Sequence, residues 1–167
     1  MSVDWAAVYN ATFEDLVRFL YRKVWDLDRA RDLAQEAFVR GLDETPDNPR
    51  AWLFTVAGNL ARDEARTAIR RRQHLALIKS ESNPHSRENP AQELEDKERV
   101  SAVRRALDQL SDRDRDVLLL WDAGLDYPAI AAETGLSPKA VGTTLARARR
   151  RLVEAHGKLE GTHAAHR

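Results

Sequence analysis

The sequence predicts an all-α fold: two small helical bundles joined by a flexible linker, the second containing a helix-turn-helix. Three observations carry that expectation. Apolar residues recur at helical spacing in segment after segment, and β-type alternation is absent. A polar stretch containing Ser80, Ser82, Asn83, Pro84, Ser86, Asn89 and Pro90 interrupts this periodicity near the middle of the chain. Gly135-Leu136-Ser137-Pro138 then falls between two short helical patterns. A chain of 167 residues split in this way has a thin core in each half, so each bundle is expected to lean on a partner.

Taken in order, the first helix carries Phe13, Leu16, Val17, Leu20 and Val24, with Thr12 placed to cap it. The second opens near Asp28, buries Leu33, Ala34, Ala37 and Phe38, and can end at Gly41. The run Glu44-Thr45-Pro46-Asp47-Asn48-Pro49 is a loop by composition. Asn48 as N-cap and Pro49 in the first turn launch a third helix. Its apolar stripe is Trp52, Leu53, Val56, Ala57 and Leu60, and it continues into Arg70–Arg72. Periodicity resumes after the linker with Leu94, Val100, Val103, Leu107 and Leu110. Ser111 followed by Asp114 resembles a capping box, and Gly124 stops the helix of Val117, Leu118, Leu120 and Trp121. The expected domains are therefore 1–72, a linker at 73–92, 93–156, and a disordered tail at 157–167.

Composition narrows the function. The chain has no cysteine, which removes disulfides and thiolate chemistry and fits a reducing cytoplasm. The N-terminal residues show no basic-then-apolar signal pattern, and no apolar run reaches the roughly 20 residues of a membrane span, so a cytoplasmic location without membrane insertion is expected. Net charge is zero, but it is unevenly distributed. Residues 62–79 hold six bases against two acids, and 138–152 hold five bases and no acid. Between them, 81–98 hold six acids and two bases. Two basic patches flanking an acidic spacer suit a bipartite binder of polyanions, because phosphate neutralisation depends on local charge.

The second patch lies on the helix-turn-helix. Asp126 caps a helix bearing Ile130, Ala131 and Ala132; Gly135 supplies a left-handed turn; Ser137 and Pro138 start the next helix. That helix is expected to bury Val141, Leu145 and Ala148 and to show Lys139, Thr143, Thr144, Ala146, Arg147 and Arg150 outward. A slim leading half followed by arginines suits insertion into a major groove.

Four motifs then carry a family resemblance. Asp32-Leu33-Ala34-Gln35-Glu36-Ala37-Phe38 and Ala51-Trp52-Leu53-Phe54-Thr55-Val56-Ala57-Gly58-Asn59-Leu60-Ala61-Arg62-Asp63 resemble consecutive helices of the extracytoplasmic-function sigma factors of bacterial RNA polymerase. Leu110-Ser111-Asp112-Arg113-Asp114-Arg115-Asp116-Val117 and the segment from Ile130-Ala131 to Arg147-Ala148-Arg149 resemble the C-terminal domain of that family. They occur in family order and cover roughly residues 8–72 and 98–153.

The resemblance implies a factor that directs core polymerase to promoters, promotes melting and starts transcription. Asp32, Gln35 and Glu36 would dock on the polymerase core. Asn59, with Arg62, Asp63 and Arg66, would engage the melted minus-ten element, an amide pairing with a base edge and arginines following phosphate. Lys139, Thr143, Thr144, Arg147, Arg150 and Arg151 would bind the minus-thirty-five element. Arg147 is expected to read a guanine edge directly, with Arg150 and Arg151 supplying phosphate attraction. The family usually has a basic residue, a serine and a basic residue where this chain has Gly142, Thr143 and Thr144. The family also implies an anti-sigma partner.

Enzyme chemistry finds no foothold. His156, His163 and His166 lie in the polar tail without a nearby carboxylate, so no metal site or cofactor is expected. No phosphate-cradling glycine loop is present. A repressor using the helix-turn-helix alone would bind duplex DNA specifically without polymerase, and a purely protein-binding adaptor would show no salt-dependent affinity for DNA.

Overall fold

The computed structural model describes residues 2–75 and 90–164, with side chains at 2–75 and 97–159. All regular structure among these is α-helical, in two compact units. The linker expected at 73–92 falls largely on 76–89, outside the described residues. At its edges helix extends to Leu75 and begins again at Pro90.

The first unit holds α1 (Trp5–Val24), α2 (Leu27–Gly41) and α3 (Pro49–Leu75). The Asp4 carboxylate caps α1, accepting from the Ala7 N–H at 3.1 Å. Thr12, the expected cap, instead lies buried inside α1, because Trp5 and Val8 carry its inward face two turns further back. Asp26 caps α2, accepting from the Arg29 N–H at 3.1 Å. Between the two helices Trp25 takes a left-handed φ of 55° and donates its N–H to the Tyr21 carbonyl at 2.7 Å, closing α1. That conformation costs a non-glycine residue about 1–2 kcal/mol, partly offset here by the Tyr21–Trp25 ring contact. Asn48 caps α3 as expected, accepting from the Ala51 N–H at 3.0 Å.

Leu16, Leu20, Leu33, Leu53 and Phe54 centre this core. Phe54, absent from the expected stripe, packs edge-on against Phe19 at 5.1 Å, while Trp52 and Val56 are only half-buried. Trp5 ties the three helices together at one end. Its ring meets Phe38 of α2 at 6.3 Å and Trp52 of α3 at 6.1 Å, and its edge lies over Gly41. Beyond Ala61, α3 outruns the bundle: from Arg62 to Leu75 every side chain is exposed except the half-buried Glu64.

The second unit holds α4 (Pro90–Asp108), α5 (Asp112–Asp122), α6 (Tyr127–Thr134) and α7 (Pro138–Ala164). Leu107, Leu110, Val117, Leu120, Ile130, Val141, Leu145 and Ala148 form its core. Val100 and Val103, expected inside, stand on the exposed side of α4. Asp126 caps α6 by accepting from the Ala129 N–H at 2.9 Å. Gly135 closes it at φ 73°, its N–H donating to the Ala131 carbonyl, so the helix-turn-helix has the expected turn. Helix α7 does not stop near 156; it runs through Gly157 to Ala164, where a disordered tail was expected. Buried Ala155 holds it in register beyond Leu152, and one interior glycine costs only about 1 kcal/mol, too little to break a helix so anchored.

Two helical glycines differ in what surrounds them. A Cβ at Gly41 would lie 2.8 Å from the Trp5 ring, whereas one at Gly142 would meet Tyr127 at 3.4 Å, an ordinary contact. Gly41→Ala is therefore expected to destabilise by about 1–3 kcal/mol through overpacking, and Gly142→Ala to stabilise by up to about 1 kcal/mol through helix propensity. Urea melts of both variants check the opposite signs.

Candidate nucleic-acid interface

Helix α7 divides into four faces at about 100° per residue. Val141, Leu145, Ala148 and Ala155 face the core and are buried. Lys139, Thr143, Ala146, Arg150 and Val153 lie diametrically opposite, and all are exposed. This outward row has the slim leading half and basic end that groove entry requires.

The flank beside Thr143 carries Arg147, Thr144 and Arg151. Thr144 is only 5% exposed, so the expected contact from this residue to DNA is ruled out by its packing against the core. It sits one step from Leu145, and the rotation that buries Leu145 takes Thr144 inward. Arg147 and Arg151, expected to reach DNA, both turn to Asp114 at the start of α5. Arg147 Nη2 donates to Oδ1 and Arg151 Nη1 to Oδ2, each at 2.8 Å. Asp114 is completely buried. Only half of the expected capping box forms: the Asp114 N–H donates to Ser111 Oγ at 3.2 Å, but the carboxylate is taken by the arginines. Burial pushes the Asp114 carboxyl up, and the two guanidiniums outweigh it, leaving the group below its ordinary pKa. The same pairing raises Arg147. A buried carboxylate stripped of its partners costs about 3–5 kcal/mol, so this clamp fixes α5 against α7.

The opposite flank is aromatic. Tyr127 lies over Gly142, Trp121 meets Tyr127 at 5.5 Å between ring centres, and the Arg149 guanidinium stands 5.6 Å from the Trp121 ring. A Cβ at position 142 would touch the Tyr127 ring at 3.4 Å without displacing it.

In the first unit, Asp32, Gln35 and Glu36 are exposed along one side of α2, opposite buried Leu33, Ala37 and Phe38. Glu36 pairs with Arg40 at 2.7 Å, and Val39 and Leu42 beside them are more than 60% exposed. On α3, Asn59, Arg62, Asp63 and Arg66 are all exposed and share a face at spacings of three and four. The Asn59 side-chain oxygen accepts from Arg62 Nη1 at 2.6 Å. Arg29 of α2 grips Glu64 of α3 with two bonds, Nε at 2.9 Å and Nη2 at 2.7 Å, and also reaches Asp32 at 3.5 Å. That grip steadies α3 where it leaves the bundle. Neither it nor the Asp114 clamp has a local sequence signature, since the partners are 33 to 37 residues apart. Among the described residues no cluster suited to a metal ion is present, and no helix is long and apolar enough to cross a membrane.

A three-helix unit with an overrunning basic helix, and a second unit built on a helix-turn-helix, define a bipartite nucleic-acid-binding protein. Residues 8–73 match the family model for sigma-70 region 2, and residues 101–152 match that for sigma-70 region 4. The chain is 30% identical to RNA polymerase sigma factor YlaC of Bacillus subtilis, over 85% of this chain and 86% of that one. It is 33% identical to the ECF sigma factor EcfG of Rhodopseudomonas palustris, over 75% and 70%. It is 31% identical to the probable ECF sigma factor SigI of Mycobacterium tuberculosis, of whose length it spans 59%. The sigma factor RpoE of Bartonella quintana, solved in complex with the anti-sigma factor NepR, superimposes with a TM-score of 0.66 at 26% identity, covering 91% of this chain and 96% of that one. The chain belongs to the extracytoplasmic-function sigma factors, which direct RNA polymerase in transcription initiation.

Because the folded pKa of Asp114 is depressed, its stabilisation is complete above the unfolded carboxylate value of about 3.9 and is lost as pH falls through the folded value. Asp114→Asn should be less stable than the parent at neutral pH and should lose part of its acid sensitivity. Denaturant midpoints of both, followed by circular dichroism from neutral pH to about 3, are expected to converge toward the acid end.

Proposed function

We propose that this factor works through three surfaces on its two units, divided near the stretch between α3 and α4. The exposed side of α2 at Asp32, Gln35 and Glu36 docks on core polymerase. The face of α3 at Asn59, Arg62, Asp63 and Arg66 engages the melted minus-ten element. The outward row of α7 reads the minus-thirty-five element through Lys139, Thr143 and Arg150. The observation that carries this reading is the rotation of α7, which turns Lys139, Thr143 and Arg150 outward on one face of the second helix of the helix-turn-helix.

Supporting it in the first unit, α3 projects its basic length beyond its own core, as a helix must if it is to enter a strand-separated duplex. The Asn59 oxygen is held by Arg62, which leaves the amide N–H2 to donate to an unstacked base. On this reading the factor initiates transcription by recruiting polymerase to the promoter and melting it. The NepR complex of the Bartonella relative supports a clasping anti-sigma partner here as well.

Run-off transcription with core polymerase on a promoter library tests the whole reading; no core-dependent transcript would refute it. Gln35→Ala combined with Glu36→Lys should weaken core binding about tenfold or more, a loss of at least about 1.4 kcal/mol, with helicity unchanged. Unchanged co-purification with core would remove α2 from the docking surface. Asn59→Ala should reduce open-complex formation, read by permanganate reactivity of the bubble, more than it reduces closed-complex binding.

A further inference from the structure

The five bases between Pro138 and Leu152 are not equivalent once folded. Lys139 and Arg150 stand on the outward row, Arg149 lies over Trp121, and Arg147 and Arg151 are both bound to Asp114. Among the described residues Asp114 is the one charged side chain that is buried. Each of its oxygens takes one guanidinium, so the departure of either arginine strips one buried carboxylate oxygen of its charged partner. Arg147 Nη2 is on the carboxylate, and its guanidinium stem is partly buried there. Moving either side chain onto a DNA phosphate would exchange a charge-assisted bond to a buried carboxylate for a solvent-screened one. That exchange runs uphill.

We infer that Asp114 is a specificity-determining residue of the helix-turn-helix, acting by position: it keeps Arg147 and Arg151 on α5 in the DNA-bound state and leaves Lys139, Thr143 and Arg150 to face the duplex. The inference rests on the α7 reading proposed above. Phosphate contacts raise affinity for every sequence alike, so cations withdrawn from phosphate lower the non-specific background against which base contacts compete. Selectivity is gained by restraint as much as by attraction.

Salt titrations of the full chain on a short fluorescent duplex of random sequence test this, together with selection from a randomised duplex pool. Arg150→Gln should lower the slope of log affinity against log salt by about one. Arg147→Gln and Arg151→Gln each leave Asp114 one guanidinium and should leave the slope as it is; a fall of about one in either overturns the inference. Asp114→Asn, checked for helicity, should steepen the slope by about one to two, bind random duplex more tightly at low salt, and select a broader set of sequences. A carboxylate with only a structural role would lower the melting temperature and change neither slope nor selectivity, and that result also overturns the inference. If Asp114→Asn does not fold, the two glutamine variants decide. Loss of slope in those variants alone refutes the role of Asp114 and spares the reading face. No effect of Arg150→Gln, or no salt-dependent binding by the parent chain, refutes the reading face and this inference with it.

Discussion

The rotation of α7 about its own axis is the constraint on which the second unit depends. Val141, Leu145 and Ala148 are buried, and a helix has no freedom to bury those three and present any other row outward. Every other feature of the unit follows from that angle. The row two residues out of phase faces solvent, Thr144 is carried inward with Leu145, and the two remaining flanks are set against α5 and α6. One flank meets a buried carboxylate and the other an aromatic pair. The helix is therefore held on three sides by hydrophobic, ionic and aromatic contacts that differ in kind, and the fourth makes none of them.

The first unit solves a related problem differently. Its long helix is half core and half projection, and the division falls near Ala61, where burial ends. Something must stop such a helix from swinging at the point of exit. The Arg29–Glu64 pair does so from α2, with two short bonds to a half-buried carboxylate. At the other end Trp5 closes the bundle over Gly41, a contact that only the absence of a side chain allows. An aromatic knot at one end and a bidentate ion pair at the other give a three-helix unit rigidity beyond what its small apolar core supplies.

Charge is used in two senses within one chain of zero net charge. On α3 and the outward row of α7 it is displayed to solvent. At Asp114 it is enclosed, and its value lies in fixing where two arginines stand. A count of bases along α7 treats these alike. The fold separates them, because one buried acid changes the role of the two nearest cations.

Much of the local architecture was legible in the residues themselves. Asn48, Asp126 and Gly135 act as expected because capping and left-handed turns depend on atoms three or four residues away. The buried side of α7 was legible for the same reason, since helical period fixes which residues share a face. Where the reading went astray, tertiary contacts had overridden a local preference. Thr12 had cap chemistry but lay inside a helix begun earlier, and the polar composition of the tail after 156 suggested disorder, but helix continues there behind a buried Ala155. Asp114 had the spacing of a capping residue, yet its carboxylate went to arginines on another helix. The sequence by itself determined most of the helices, the turn and the buried side of α7, because these are set by neighbours along the chain. Only the tertiary structure decided that Arg147 and Arg151 turn aside to Asp114, because a salt bridge between residues 33 and 37 positions apart is fixed by packing and leaves no trace in local spacing.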